Sequence, residues 1–407
     1  MSPAEGPILI ERARCFDGTK VLPERVDIYL DGGRIAWVGS GSAAPDARRI
    51  KAGDRLVMPG LIDTHVHLES PAVPDRTGYV VRTPEPLMAF YAAYNARLTL
   101  EAGFTTLRNM GSNASVALRN AIDRNLIEGP RILTGGVVDM TGGHFDLFRP
   151  LIYPRQPEDT ADGEASVRQA VRRHVRAGVD FIKIATTGGI ASEGDDSDWV
   201  TYSETEIAAI CDEAHNLKRH VACHAQGTAG IKRALGADID TLEHGTFMDA
   251  EGLQMLLRSR AILMPTLSFF HGVVTRGRAL NLPAHWQEKC GPAYEAAKAT
   301  VRMARAAGVR IAYGTDSAGR HAPHGDNAVE LALMVELGYT PEQMLVAATS
   351  DAAAAIGLGA ETGRIAPGLS ADVLLINGDP LTDIALLQDK SCIEQIILRG
   401  RVAVDRT

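Results

Sequence analysis

Short apolar runs alternate along most of this chain with longer stretches whose apolar residues recur every three or four positions. Residues 181–189 (FIKIATTGG) and 220–227 (HVACHAQG) have strand length, whereas 165–178 and 203–218 carry helical spacing. The second helical stretch opens on a capping box, Ser203 to Glu206. Eight strand-like runs can be counted: 60–67, 105–110, 131–136, 181–189, 220–227, 240–245, 262–268 and 310–317. Such βα alternation predicts an α/β fold, a (β/α)8 TIM barrel whose chemistry sits at the C-terminal ends of the strands.

The two ends of the chain have a different texture. Residues 7–16, 25–41, 363–380 and 392–404 are short alternating runs with turn residues between them, such as Asp31-Gly32-Gly33. They predict a small discontinuous β-sandwich built from both ends. The expected division is residues 1–56 and 365–407 for that unit and 57–364 for the barrel.

Composition changes this picture little. The 407 residues are 45% hydrophobic, enough for a sizeable core, and 50 acidic against 42 basic residues give a net charge of -8. No basic block interleaves with aromatics, which argues against a nucleic-acid partner. No apolar stretch approaches the ~18 residues of a membrane span, and no signal-like N-terminus is seen, so a cytoplasmic location and no membrane partner are expected. Five cysteines, Cys15, Cys211, Cys223, Cys290 and Cys392, lack CxxC spacing and are expected to be free thiols.

The chemistry-bearing residues fall at strand ends. In VMPGLIDTHVHLES (57–70), His65 and His67 are two apart and so face the same way on a strand. Lys183, between Phe181 and Ala185 on the inward face of its strand, would be a costly bare ammonium unless paired or modified. His224 ends the fifth run, His244 the sixth and Asp316 the eighth. Any one could be a core or capping residue. Six potential ligands on barrel strands one, four, five, six and eight, in this order, point to a metal site.

With these residues in place the chain resembles the amidohydrolase superfamily from PGLIDTHVH through GTDS (314–317) to GRIAPGLSADVLLI. The resemblance implies a binuclear centre: His65, His67 and Asp316 on one divalent ion, His224 and His244 on the other, and N6-carboxylated Lys183 bridging them. Zinc is the default ion, with manganese or cobalt equally suited to such ligands. It further implies a metal-bridging hydroxide as nucleophile, with Asp316 as general base and then general acid. Relatives assemble, which implies a homo-oligomer and possible octamers.

TGGH (141–144), ATTGG (185–189) and APHGDN (322–327) are similar to the branch of Xaa-Pro and Xaa-Arg/Lys dipeptidases and ochratoxinase-like amidases. The implied substrate is a dipeptide, an N-acyl amino acid or an aromatic amide of an amino acid, ochratoxin-like compounds included. His144 then contacts the substrate and assists catalysis. Arg108 either meets a substrate carboxylate bidentately or forms a structural ion pair. Gln226, His321 and His324 are further candidates to line the mouth. Asn109 and Gln226 depart from residues common in relatives, Asp in the first case and an aromatic or His in the second. The loop SEGDDSDW (192–199), with Glu193, Asp195, Asp196 and Asp198, is either a solvated face or a receptor for a cationic side chain. Competing readings are a cyclic amide or lactam hydrolase, a mononuclear deaminase, disfavoured by Lys183 and by the His224-Ala225-Gln226-Gly227 sequence, and an inactive scaffold.

Overall fold

The computed structural model describes residues 6–41, 44, 46–74, 79, 82–147 and 160–407. The N-terminal part contributes β1 (Ile8–Cys15), β2 (Val26–Asp31), β3 (Arg34–Gly39), β4 (Arg48–Lys51) and β5 (Leu56–Pro59). The chain then runs through β6 (Leu61–Val66), β7 (Phe104–Asn109), β8 (Arg131–Val137), β9 (Phe181–Ala185), β10 (His220–Ala225), β11 (Thr241–His244) and β12 (Ile262–Met264), with helices between successive strands. It returns with β13 (Val373–Ile376), β14 (Ile393–Leu398) and β15 (Arg401–Asp405).

Strands β6 to β12 form one sheet in sequence order, every neighbouring pair parallel. The eighth run nearly closes this barrel without becoming a regular strand. Ala312 donates to the Leu263 carbonyl on one side, while Thr64 donates to Tyr313 and Asp316 to His65 on the other. The left-handed backbone of Asp316 (φ 57°) breaks the extended run at the position that carries its functional side chain. All residues of β9 and β6 are buried, as strands covered on both faces must be.

The two chain ends come together as expected, but the strands foreseen as a sandwich form one connected mixed sheet, in the order β15-β14-β13-β5-β1-β2-β3 with β4 alongside β1. Alternation divides its faces. Val57, Val373, Leu375 and Ile397 join Ile8, Ile10 and Ile28 in the small domain's own core, whereas Leu56, Met58, Leu374 and Ile396 pack into the barrel's core. One boundary shifts from the expected 56/57. β5 pairs with β1 and β13, so residues 57–59 belong to the small sheet and the chain passes into the barrel at Gly60. A Cβ there would lie 2.0 Å from Thr105 Oγ1, so only glycine lets the chain cross at this point. Among the described residues, no helix is long and apolar enough to cross a membrane.

Candidate metal centre

His65 near the end of β6, His67 just beyond it and Asp316 converge: His67 Nε2 lies 3.1 Å and His65 Nε2 3.5 Å from Asp316 Oδ1. One ligand atom each of His65, His244 and Asp316 lies within 4.8 Å of the others, a set able to hold a metal ion. The imidazoles continue as a row. Ring centroids are 5.5 Å apart for His65 and His67, 5.2 Å for His65 and His244, and 4.7 Å for His224 and His244. His144 stacks on His224 at 4.4 Å.

Hydrogen bonding sets which nitrogen of each ring keeps its lone pair. His65 Nδ1 donates to Glu243 Oε2 at 2.7 Å, leaving Nε2 toward Asp316. Thr266 Oγ1 donates to the Pro265 carbonyl and so accepts from His244 Nδ1 at 2.6 Å, again leaving Nε2. His224 Nε2 donates to the Gly188 carbonyl at 3.2 Å, which frees Nδ1. Burial, with the Lys183 amine next, pushes His65 down to about 4, and burial pushes His244 down to about 3. His224 is driven well below its ordinary value by burial, then by His144 and His244. These are neutral imidazoles, the form that binds metal.

Lys183 lies in the field of the same row, since its amine lowers His65, His224 and His244 alike. Its side chain is buried and, among the described residues, Nζ has no hydrogen-bond partner. Burial lowers its pKa, which favours the neutral, nucleophilic amine. An orphaned buried amine beside three imidazoles with free lone pairs fits a site completed by cations and by a carboxylated lysine.

Arg108 is placed otherwise than a substrate contact requires. It is 2% exposed, and its Nη2 meets Glu243 Oε1 at 2.7 Å, Nη1 meets Thr241 Oγ1 and Nε meets the Thr64 carbonyl. It is therefore the structural ion-pair partner; a substrate carboxylate would have to displace Glu243. The acidic loop also divides. Glu193, Asp196 and Asp198 are exposed, but Asp195 is buried and its Oδ2 accepts from His144 Nδ1 at 2.8 Å, so it is neither a solvated charge nor free for a cationic substrate.

At the mouth, Gln226 is buried, and its Oε1 has no partner among the described residues. His324 donates from Nε2 to the His67 carbonyl at 3.0 Å, and its Nδ1 has no partner among the described residues. His321 lies edge-on to Phe269 and Trp286. Asn109 donates to both oxygens of Glu69 and accepts from Leu68 N, a role an Asp would meet with like charge.

Two functional residues escaped sequence reasoning. Glu243 orients His65 while Arg108 and His65 hold its carboxyl well below the ordinary range against the opposing effect of burial. Its signal was an inward carboxylate two residues from Thr241 and next to a strand-end histidine. Asp63 accepts from His65 N, Thr315 and Asn327, tying β6 to the eighth run.

Residues 56–403 match the amidohydrolase family. Ochratoxinase of Aspergillus niger is 31% identical over 400 residues, covering 90% of this chain and 80% of that protein. A Xaa-Pro dipeptidase structure with bound methionine superposes with a TM-score of 0.90 at 30% identity, covering 98% of this chain and all of that one. A prolidase complexed with N-methylphosphonate-L-proline gives the same TM-score at 29% identity, with the same coverage. With a barrel of this shape and His65, His244 and Asp316 gathered at its mouth, the chain belongs to the amidohydrolase family.

Proposed function

We propose that this protein is a binuclear metal-dependent amidase that hydrolyses the amide bond of a dipeptide, an N-acyl amino acid or an aromatic amide of an amino acid. The observation that carries the reading is the partnerless buried amine of Lys183 amid His65, His224 and His244. Adding CO2 to that amine in its neutral form, which burial favours, releases one proton and replaces a costly orphan with a carbamate anion. His65, His67 and Asp316 would hold one divalent ion, His224 and His244 the second, and carboxylated Lys183 both, zinc being the first candidate. When bound, such ions lower the pKa of water and polarise a carbonyl.

The chain's own groups do the rest. Asp316 Oδ1, within 3.1 Å of His67 Nε2, takes the proton of the attacking water and returns it to the departing nitrogen, because an amide anion is a poor leaving group. His144, Gln226, His321 and His324 contact the substrate. The methionine bound by the dipeptidase relative and the N-methylphosphonate-L-proline bound by the prolidase support an amino-acid leaving group.

Metal-loaded protein incubated with a library of dipeptides and N-acyl amino acids should release free amino acid, lose that activity on chelation and regain it when metal is restored. Metal analysis should find two ions per chain. A fully loaded protein that cleaves no amide in the library would refute the reading.

A further inference from the structure

We infer that Asp195 is the positioning residue of His144, and that the loop after β9 is shaped to hold the two together. This rests on the reading that His144 contacts substrate. Asp195 is 4% exposed and uses its carboxylate fully: Oδ2 accepts from His144 Nδ1 at 2.8 Å and from Gly189 N at 3.1 Å, and Oδ1 accepts from Ser192 Oγ.

A carboxylate can only accept, so Nδ1 carries the proton and Nε2 is the ring atom through which His144 reaches substrate. The ring is held on one face by His224, at Nδ1 by Asp195 and beside Cε1 by Gly189. One face stacks on His224 with 17° between the planes. A Cβ at Gly189 would lie 2.2 Å from His144 Cε1, so glycine is needed for the loop to press against the ring. The loop is itself pinned to the helix Ala284–Ala306, where Trp286 Nε1 donates to the Ala191 carbonyl at 2.7 Å and Lys289 Nζ to the Ser192 carbonyl at 3.1 Å.

Asp195→Asn keeps the volume of the side chain, removes its charge and replaces one of its two acceptor oxygens with an NH2 that can only donate. Three measurements decide the matter: metal content, steady-state kinetics of Asp195→Asn, His144→Ala and the double variant, and 15N shifts of the His144 ring nitrogens, assigned by their loss in His144→Gln. The expected result is unchanged metal content and a fall in kcat/KM of about 10- to 100-fold, by analogy with the carboxylates that orient metal-ligating imidazoles. The double variant should be no worse than His144→Ala, and the protonated ring nitrogen should change from its Nδ1 pattern. Multiplying losses in the double variant, or ring shifts unaltered by Asp195→Asn, would overturn the proposal. A near-wild-type His144→Ala would refute the catalytic use of His144 instead, and the ring shifts would still decide whether Asp195 positions it.

Discussion

At the scale of the residue, the site turns on lone pairs and orphans. Lys183→Ala should abolish amide hydrolysis, and formate or propionate added in solution should restore part of it by standing in for the carbamate; absence of any rescue in protein that still binds metal would argue that Lys183 is not carboxylated. Lys183 could be picked out of the sequence because an inward lysine between Ile182 and Ile184 is anomalous on physical grounds. His65, His67, His224, His244 and Asp316 stood out for a related reason, their recurrence at strand ends. Arg108 was legible only as a question. A buried guanidinium on a strand is compatible with a substrate carboxylate or with a protein one, and the choice depended on Glu243, which arrives across the barrel from β11. Asp195 was hidden by its neighbours. Among four acids in six positions, nothing local distinguishes the one that turns inward.

At the scale of the element, strand periodicity explains half of the site and backbone strain the other half. Alternation places Lys183 and Glu243 inward, but Glu243 and His244 are adjacent and an unbroken strand would send them to opposite faces. His244 takes φ 69°, Thr266 φ 53° and Asp316 φ 57°, so three strand ends turn left-handed with non-glycine residues and re-aim their side chains into the mouth. Glu330 holds one of these turns, accepting from Leu267 N and Ser268 N directly after Thr266. Sequence patterning carries no signal for such turns, which is also why the eighth run read as a strand. Beneath them, Arg108, Glu243 and His65 form a buried chain joining β7, β11 and β6. Arg108→Ala should therefore destabilise the fold by about 3–5 kcal/mol, because it leaves Glu243 as an unpaired buried charge. Thermal and denaturant unfolding would register this as a lowered midpoint. A variant with wild-type stability and only a raised KM would return Arg108 to the substrate.

At the scale of the whole molecule, the discontinuous sheet sets β1 from the N-terminal part and β13 from the C-terminal part on either side of β5, and the barrel gathers most of its buried histidines at one mouth. That concentration has a consequence for acid stability. Burial pushes His324 down to about 4, as it does His65. In the unfolded chain each would titrate near 6.5. Below that pH the unfolded state takes up protons that the folded state refuses until about pH 4. Stability from these groups is therefore complete above 6.5 and is lost as the pH falls from 6.5 to 4. The displacement from 6.5 to about 4 corresponds to roughly 3 kcal/mol for one fully buried imidazole, at 1.36 kcal/mol per pKa unit. Unfolding of metal-free protein measured at pH 7, 5.5 and 4.5 should show a steep fall in midpoint across that window. His324→Gln, whose amide can still donate to the His67 carbonyl, should show a shallower one by about one proton. An equal slope in both proteins would mean that His324 is charged in the fold, and the neutral ring bonded to His67 would be wrong.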